Sequence, residues 1–135
     1  MAQLTNPIFS KPIAGDVVSF GTANTNRDGT GTIATLATGV ADGKRITNVR
    51  IKAIVTTTAG MIRIYYSPDA GVTNHLIGEV VVSAITVAAG VAGFESDWVP
   101  PGGVINLVST NDMLRVSTHN AETFKAYANS LSYAA

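Results

Sequence analysis

Few residues in this chain are spaced as chemistry would need. Gly29-Thr30-Gly31-Thr32-Ile33-Ala34 fits G-x-G-x-x-A, which cradles a dinucleotide phosphate when a strand leads in and a helix leads out. Here Asn24 to Asp28 read as a loop, and Thr32, Ile33 and Thr35 as a strand. A glycine-rich hairpin loop is expected, with no cofactor. Asn24-x-Asn26-x-Asp28-Gly29 opens like a calcium loop, but calcium wants several carboxylates and a bidentate acid at the twelfth position. That position is Thr35, so turn-forming Asx side chains are the better reading. His75 and His119 are far apart, and Glu79 would lie about 13 Å from His75 along one strand face. No metal site is expected. Asp112, Ser117 and His119 are close in sequence, but no nucleophile elbow of the G-x-S-x-G type occurs. Glu95 and Asp97 share a strand face about 7 Å apart, a spacing used by two-carboxylate sites and also common on any solvated strand. No catalytic, cofactor-binding or metal-ligating residue is assigned, and the chain is read as not an enzyme.

Binding chemistry is better represented. Arg50, Lys52 and Arg63, with Tyr65 interleaved, fall on one face of the 44–67 segment. Three cations on a neutral background are too few for nucleic acid. They suit a solvated face or a docking surface for an acidic partner. Phe94 and Trp98 are read as core; the alternative is a sugar-stacking platform of Tyr65, Tyr66 or Trp98. Residues 1–14 carry Ile8, Phe9 and Ile13 between Pro7 and Pro12, where proline blocks both ladder bonding and a helix interior. An extended arm is expected, folded back on its own domain or laid on a neighbour.

The elements that hold these residues read as strands. Valine plus isoleucine outnumber leucine 26 to 6, and branching at Cβ favours extended backbone. Turn residues recur every dozen or so positions, from Gly15-Asp16 through Pro68-Asp69-Ala70-Gly71 to Asn111-Asp112. The spacing predicts strands near 16–20, 32–38, 44–57, 60–67, 75–87, 93–99, 104–108, 112–119 and 123–132, the pattern of a sandwich or barrel. The strongest alternation lies in 44–67. A turn at Thr58-Ala59 would make it a hairpin pairing Val55 with Ile62, Ala53 with Ile64 and Ile51 with Tyr66, with Lys52 across from Tyr65 on the opposite face.

Composition bounds the function. The chain has 135 residues, no cysteine, nine basic and nine acidic side chains, and 13% charged residues, about half the share usual in soluble domains. Zero net charge argues against coating nucleic acid or an anionic membrane. The longest weakly polar run, Ala84 to Phe94, is too short to cross a bilayer. Met1 to Lys11 lacks a charged start followed by an apolar block, so no secretory signal is expected. Sixteen Thr, nine Ser and nine Asn replace the missing charge. Uncharged polar groups desolvate more cheaply than ions, which suits a surface packed against copies or partners. A Thr-rich monomer is the plainer alternative.

Arg45-Ile46-Thr47-Asn48-Val49-Arg50-Ile51-Lys52-Ala53, Thr56-Thr57-Thr58-Ala59-Gly60-Met61-Ile62-Arg63-Ile64, Asp112-Met113-Leu114-Arg115-Val116-Ser117-Thr118 and the stretch Phe124 to Tyr133 together resemble the small β-sandwich virion proteins of tailed bacteriophages. The resemblance covers roughly residues 20–133, and its motifs are structural. It implies a capsid decoration or cement protein, or a small fibre or tail module, often trimeric, with no cofactor and no active-site residues carried over. The combined reading is an all-β, two-sheet antiparallel sandwich, jelly-roll-like. Residues 1–14 form an extended N-terminal arm and 15–135 one domain. The function expected is a homotrimeric virion structural protein, assembled in the bacterial host cytoplasm, whose partners are itself, the major capsid protein or other virion proteins, and neither nucleic acid nor membrane. A tail or fibre component and a carbohydrate-binding module are the alternatives.

Overall fold

The computed structural model describes residues 9, 10 and 14–134. Ten strands run in chain order: β1 (Phe9–Ser10), β2 (Ala14–Phe20), β3 (Ala34–Thr38), β4 (Lys44–Ala53), β5 (Gly60–Ser67), β6 (His75–Val82), β7 (Glu95–Trp98), β8 (Ile105–Leu107), β9 (Met113–Thr118) and β10 (Phe124–Ala134). All pair antiparallel, in two sheets. In the first, β10 lies beside β4; β1 and β2 follow one another along the outer edge of β10, and β7 and β8 along the outer edge of β4. The second has the order β3-β9-β5-β6.

The sheets meet through their period-two apolar faces. Ile46, Val49, Ile51 and Ala53 of β4 and Phe124, Ala126 and Ala128 of β10 oppose Ile62 and Ile64 of β5 and Leu114 and Val116 of β9, all at most 2% exposed. Phe20 stacks on Phe124 with ring centroids 5.7 Å apart, and Phe94 meets Phe124 edge-on at 6.5 Å. Trp98 closes one side of the sandwich. Its indole lies over Gly78 of β6, where an added Cβ would come within 2.4 Å of Nε1.

The strand positions agree with expectation, but the 44–67 hairpin does not form. β4 and β5 belong to different sheets. The chain leaves β4 after Ala53 and crosses over, with Thr57 exchanging main-chain hydrogen bonds with Ile85 and its Oγ1 donating to the Ser83 carbonyl. Val55 is therefore half-buried in the crossing and faces no Ile62. Alternation had identified the inward faces, since Ile51, Ala53, Ile62 and Ile64 are all buried, but inward residues of two facing sheets alternate just as those of one hairpin do. Strands expected over 44–57 and 75–87 end at Ala53 and Val82 because their last residues build this crossing.

Within the arm, the main chain of Phe9 and Ser10 pairs with Ala134 and Tyr133 of the same chain. Ile8 and Ile13 lie outside the described residues, as do the side-chain surroundings of Phe9.

Candidate interaction surfaces

The two outer faces of the sandwich differ. Over the second sheet runs a strap, residues 21–33, which connects β2 to β3. Strand β5 turns Arg63 and Tyr65 outward beneath it, and β9 does the same with Arg115 and Ser117. Arg63, 4% exposed, donates from Nη1 to the Asn24 carbonyl (3.1 Å) and from Nη2 to His119 Nδ1 (3.3 Å). Arginine cannot accept, so Nδ1 is the acceptor and His119 carries its proton on Nε2. Tyr65, fully buried, donates its hydroxyl to the Asn26 carbonyl at 2.9 Å. Arg115 ties the end of the strap to the β5–β6 turn, donating to the Ile33 carbonyl (2.7 Å), Asn74 Oδ1 (3.0 Å) and the Gly71 carbonyl (3.3 Å). Glu79 closes the border, 2.9 Å from Arg27 and 3.7 Å from Arg63 Nε.

The strap is folded on the side chain of Asn24, whose Nδ2 donates to the Thr30 and Thr32 carbonyls while Oδ1 accepts from the Asn26 amide. Gly31 (φ +84°) passes so close that an added Cβ would lie 2.7 Å from Asn24 Oδ1. Asp28 caps the tip by accepting from the Thr30 amide and hydroxyl, and the Thr30 hydroxyl bond holds its carboxyl below the usual carboxylate range. Asn24 Oδ1 and Asp28 Oδ1, two of the oxygens a calcium loop would have used, thus serve the turn itself. Both G-x-G glycines lie in this strap, ahead of strand β3.

The expected basic face therefore divides. Arg63 and Tyr65 are buried on the second sheet, and Lys52 does not face Tyr65. The sequence places them outward correctly, but outward is not exposed where a loop covers the sheet. Arg50 and Lys52 lie on the outer face of the first sheet. There Arg50 grips Asp97 with two bonds (Nε–Oδ1 2.9 Å, Nη2–Oδ2 3.1 Å) and reaches Glu95 at 3.1 Å. Asp97's hydrogen bond, then its charge and that of Glu95, raises the guanidinium's pKa. The Arg50 hydrogen bond holds the Asp97 carboxyl below its ordinary range. Both carboxylates are engaged by the one guanidinium, so the Glu95/Asp97 pair is a clamp for Arg50. Lys52 donates to the Gly93 carbonyl at 3.3 Å and lies opposite Lys125. Tyr127, 39% exposed, stands in register between Val17 (62%) and Arg50. A hollow of about 200 Å³, lined by Arg45, Thr47, Asn129, Ser130 and Leu131, opens beside the β4–β10 bulge.

The Asp112, Ser117 and His119 side chains are separately engaged or oriented. Asp112 accepts from the Tyr66 hydroxyl and the Val108 amide at 2.9 and 2.8 Å, and burial followed by that bond raises the Tyr66 pKa. His119 serves Arg63. Ser117 Oγ is buried with no hydrogen-bond partner. Phe94 is core, and Trp98 is half-buried against it. Among the described residues no three His, Cys, Asp or Glu side chains gather as a metal site. Sequence reasoning missed the strap. Its signal was a connection of thirteen residues rich in Asn, Asp and Gly, longer than a tight hairpin needs.

No family model matches the chain, and no curated protein matches it. Among solved structures it is similar to a chain of the cyanophage Pam1 capsid asymmetric unit, at 18% identity over 97% of this chain and 93% of that one, with a TM-score of 0.44. It is also similar to the infectious bursal disease virus Gx strain (10% identity, 94% of this chain and 31% of that one, TM-score 0.38). A third likeness is to the Clostridium thermocellum xylanase 10B CBM22-1-GH10 modules (13%, 90% and 26%, TM-score 0.32). At identities and TM-scores this low, these likenesses carry no assignment of function.

Proposed function

We propose that this chain is a non-enzymatic structural protein of a bacteriophage virion, a capsid decoration or cement protein that acts as a homotrimer and docks through the outer face of its first sheet. The observation that carries this reading is the distribution of covered and uncovered surface. The interior is filled by side chains, and the second sheet is strapped. Each sheet edge is interrupted: β3 and β6 by a register shift, the other two by a break between β1 and β2 and between β7 and β8. Interrupted edges resist strand-to-strand association. What remains is a broad face carrying Tyr127, Val17, Arg50 and Lys52, the mix of aromatic and arginine favoured at interface centres.

The strand order adds support by analogy of fold. With β7 and β8 taken as one interrupted strand, the sheets read 2-10-4-7/8 and 3-9-5-6, the alternation of a jelly roll, an architecture used by viral capsid domains and also by lectins and cupins. The sequence resemblance selects the virion among these. The arm, with Ile8, Phe9 and Ile13, contributes attachment alongside this face. Imaging of purified particles is the test. Ordered copies of the chain on the outside of the head are expected, and loss of head stability when they are stripped. Particles that lack the chain refute the virion reading; copies confined to the tail or fibres refute decoration and leave a tail component.

A further inference from the structure

The end of the sandwich away from the β5–β6 turn is closed by three connections: 54–59 between β4 and β5, 83–94 between β6 and β7, and 119–123 between β9 and β10. They are bonded to one another. Thr57 and Ile85 exchange main-chain bonds at 2.9 and 3.1 Å, the Val87 amide donates to Thr56 Oγ1 at 3.2 Å, and the Ile54 amide donates to the Thr123 carbonyl at 3.2 Å. The Val91 amide donates to the Ala88 carbonyl at 2.9 Å and closes a turn through Gly90 (φ +82°). That turn is a projecting tip. Ala88 to Ala92 are all exposed, and a Cβ added at Gly90 would meet nothing within 4 Å. Ile54 (53%), Val91 (50%) and, on the adjoining β6, Val81 (71%) are exposed at the same end. We infer that this end is the subunit contact of the homotrimer, with the Ala88–Val91 tips of three copies meeting at its axis. The inference rests on the homotrimer proposed above and adds where its subunits touch.

Charge selects a second copy as the occupant. Val80 to Phe94, fifteen residues, is the longest run of the chain without a charged side chain. Across the three connections the only carboxylate is Glu122, whose Oε1 accepts from the Thr58 amide and hydroxyl, and the only imidazole is His119, which accepts from Arg63. The connections at the other end, 39–43, 68–74 and 108–112, each carry an aspartate. Near a rotation axis every residue meets its own copies. A charge placed there faces like charge, which is repulsive. An uncharged end is what such an axis requires, and alanine and glycine at the tip let three backbones approach closely. A different protein imposes no such constraint, because opposite charges across the contact would add specificity; the first sheet, with Arg50, Lys52 and Lys125, has that character. A lipid surface selects Trp, Phe or Leu together with Lys or Arg, and residues 83–92 contain none of these. The bonds among the connections also fit the role, since a surface ordered in advance loses little conformational freedom on association. An exposed apolar tip on a monomer has no such use.

The chain has no cysteine, so a single introduced one reports its own neighbours. Ala89→Cys and Val91→Cys are oxidised as full chains at micromolar concentration. A disulfide needs Cα atoms within about 7 Å, so at least one of the two should give a covalent dimer and one single chain from each trimer. Val72→Cys, 84% exposed in the turn at the other end, should give no covalent dimer. Val91→Asp places three carboxylates at the axis and should raise the concentration at which the trimer dissociates in sedimentation at least about tenfold. Val72→Asp should sediment as the wild type does. A wild-type chain that sediments as a monomer refutes the homotrimer itself, and this contact with it. A wild-type trimer that survives Val91→Asp overturns the contact and leaves the homotrimer standing. So does a trimer in which neither cysteine at the tip cross-links, or one that Val72→Asp dissociates. A monomer that loses particle binding on Val91→Asp assigns this end to another virion protein and likewise overturns the inference.

Discussion

Arg63→Met tests whether the strap is held by polar chemistry beneath it. Methionine keeps the length and apolar stem of the side chain but removes its donors. The Asn24 carbonyl loses the bond at 3.1 Å and His119 Nδ1 the bond at 3.3 Å, while Glu79 keeps Arg27 at 2.9 Å. Two hydrogen bonds from a buried charged group are worth about 1.5–3 kcal/mol each. Against them stands relief from burying a guanidinium that is 4% exposed, itself several kcal/mol. Relief is incomplete, because the abandoned Asn24 carbonyl stays under the strap at a cost of about 1–3 kcal/mol. We expect a net loss of about 2–4 kcal/mol, concentrated in local opening of 21–33 ahead of global unfolding. The Asn24 amide, which donates to the Thr118 carbonyl at 2.8 Å, is the reporter, because its hydrogen exchange follows strap opening. Tyr65→Phe, which removes only the bond to the Asn26 carbonyl, should cost about 0.5–1.5 kcal/mol. Because both side chains hold one strap, the double variant should lose less than the sum. A loss under about 0.5 kcal/mol in denaturant titration, with Asn24 exchange unchanged, would refute the reasoning.

Ile62→Ala, at a fully buried position facing the first sheet, should cost about 2–5 kcal/mol by denaturant titration, and a value below that range would mean the site collapses around the cavity. Gly78→Ala should displace the Trp98 indole, seen as a red shift in tryptophan emission together with lower stability; unchanged emission would show that the sandwich closes without that contact. Asp97 has a lowered pKa, so its contribution is present above the ordinary carboxylate value near pH 4 and is lost as pH falls through the folded value. Asp97→Asn should accordingly flatten the decline of stability below about pH 4 and change little at pH 7, because solvent screens an exposed ion pair; identical acid profiles for the two proteins would exclude that clamp as a source of acid sensitivity.

Much of the architecture is legible in the sequence because strand content and inward faces are local properties. Val49, Ile51 and Ala53 alternate with polar residues, and Pro68-Asp69-Ala70-Gly71 makes the turn that its composition predicts, with Asp69 Oδ1 accepting from Ser67 Oγ and the Thr73 amide. Its carboxyl is held low chiefly by that amide. Partner choice is not local. Nothing in 44–67 distinguishes a hairpin from two strands that face each other across a core, since both bury the same side chains. What decides is whether other strands compete for β4. Here both edges of β4 are taken by strands distant in sequence, β10 on one side and β7 and β8 on the other, which excludes β5. The misplaced Arg63 and Tyr65 have the same origin. Period two separates inward from outward, and a covering loop then converts outward into buried.

Charge in this chain is largely spent on its own structure. Arg63 and Arg115 hold the strap, and Lys44, its side chain 11% exposed, is paired to Asp16 at 3.1 Å. Glu79 and Glu95 are paired to arginines, while Asp112 and Glu122 accept from their own chain, Glu122 from the Thr58 amide and hydroxyl. Among the described residues, the uncharged exposed surface is mainly threonine, alanine and valine, with Lys125 and Arg45 among the exposed cations. Such a surface loses little hydration free energy on contact, because uncharged groups desolvate more cheaply than ions. On a lattice, weak contacts of this kind add up through effective concentration without any single one being strong. Under the proposed function, such a surface would favour broad, repeated docking over one tight and isolated interface, with specificity set by the few charges left free at the first sheet.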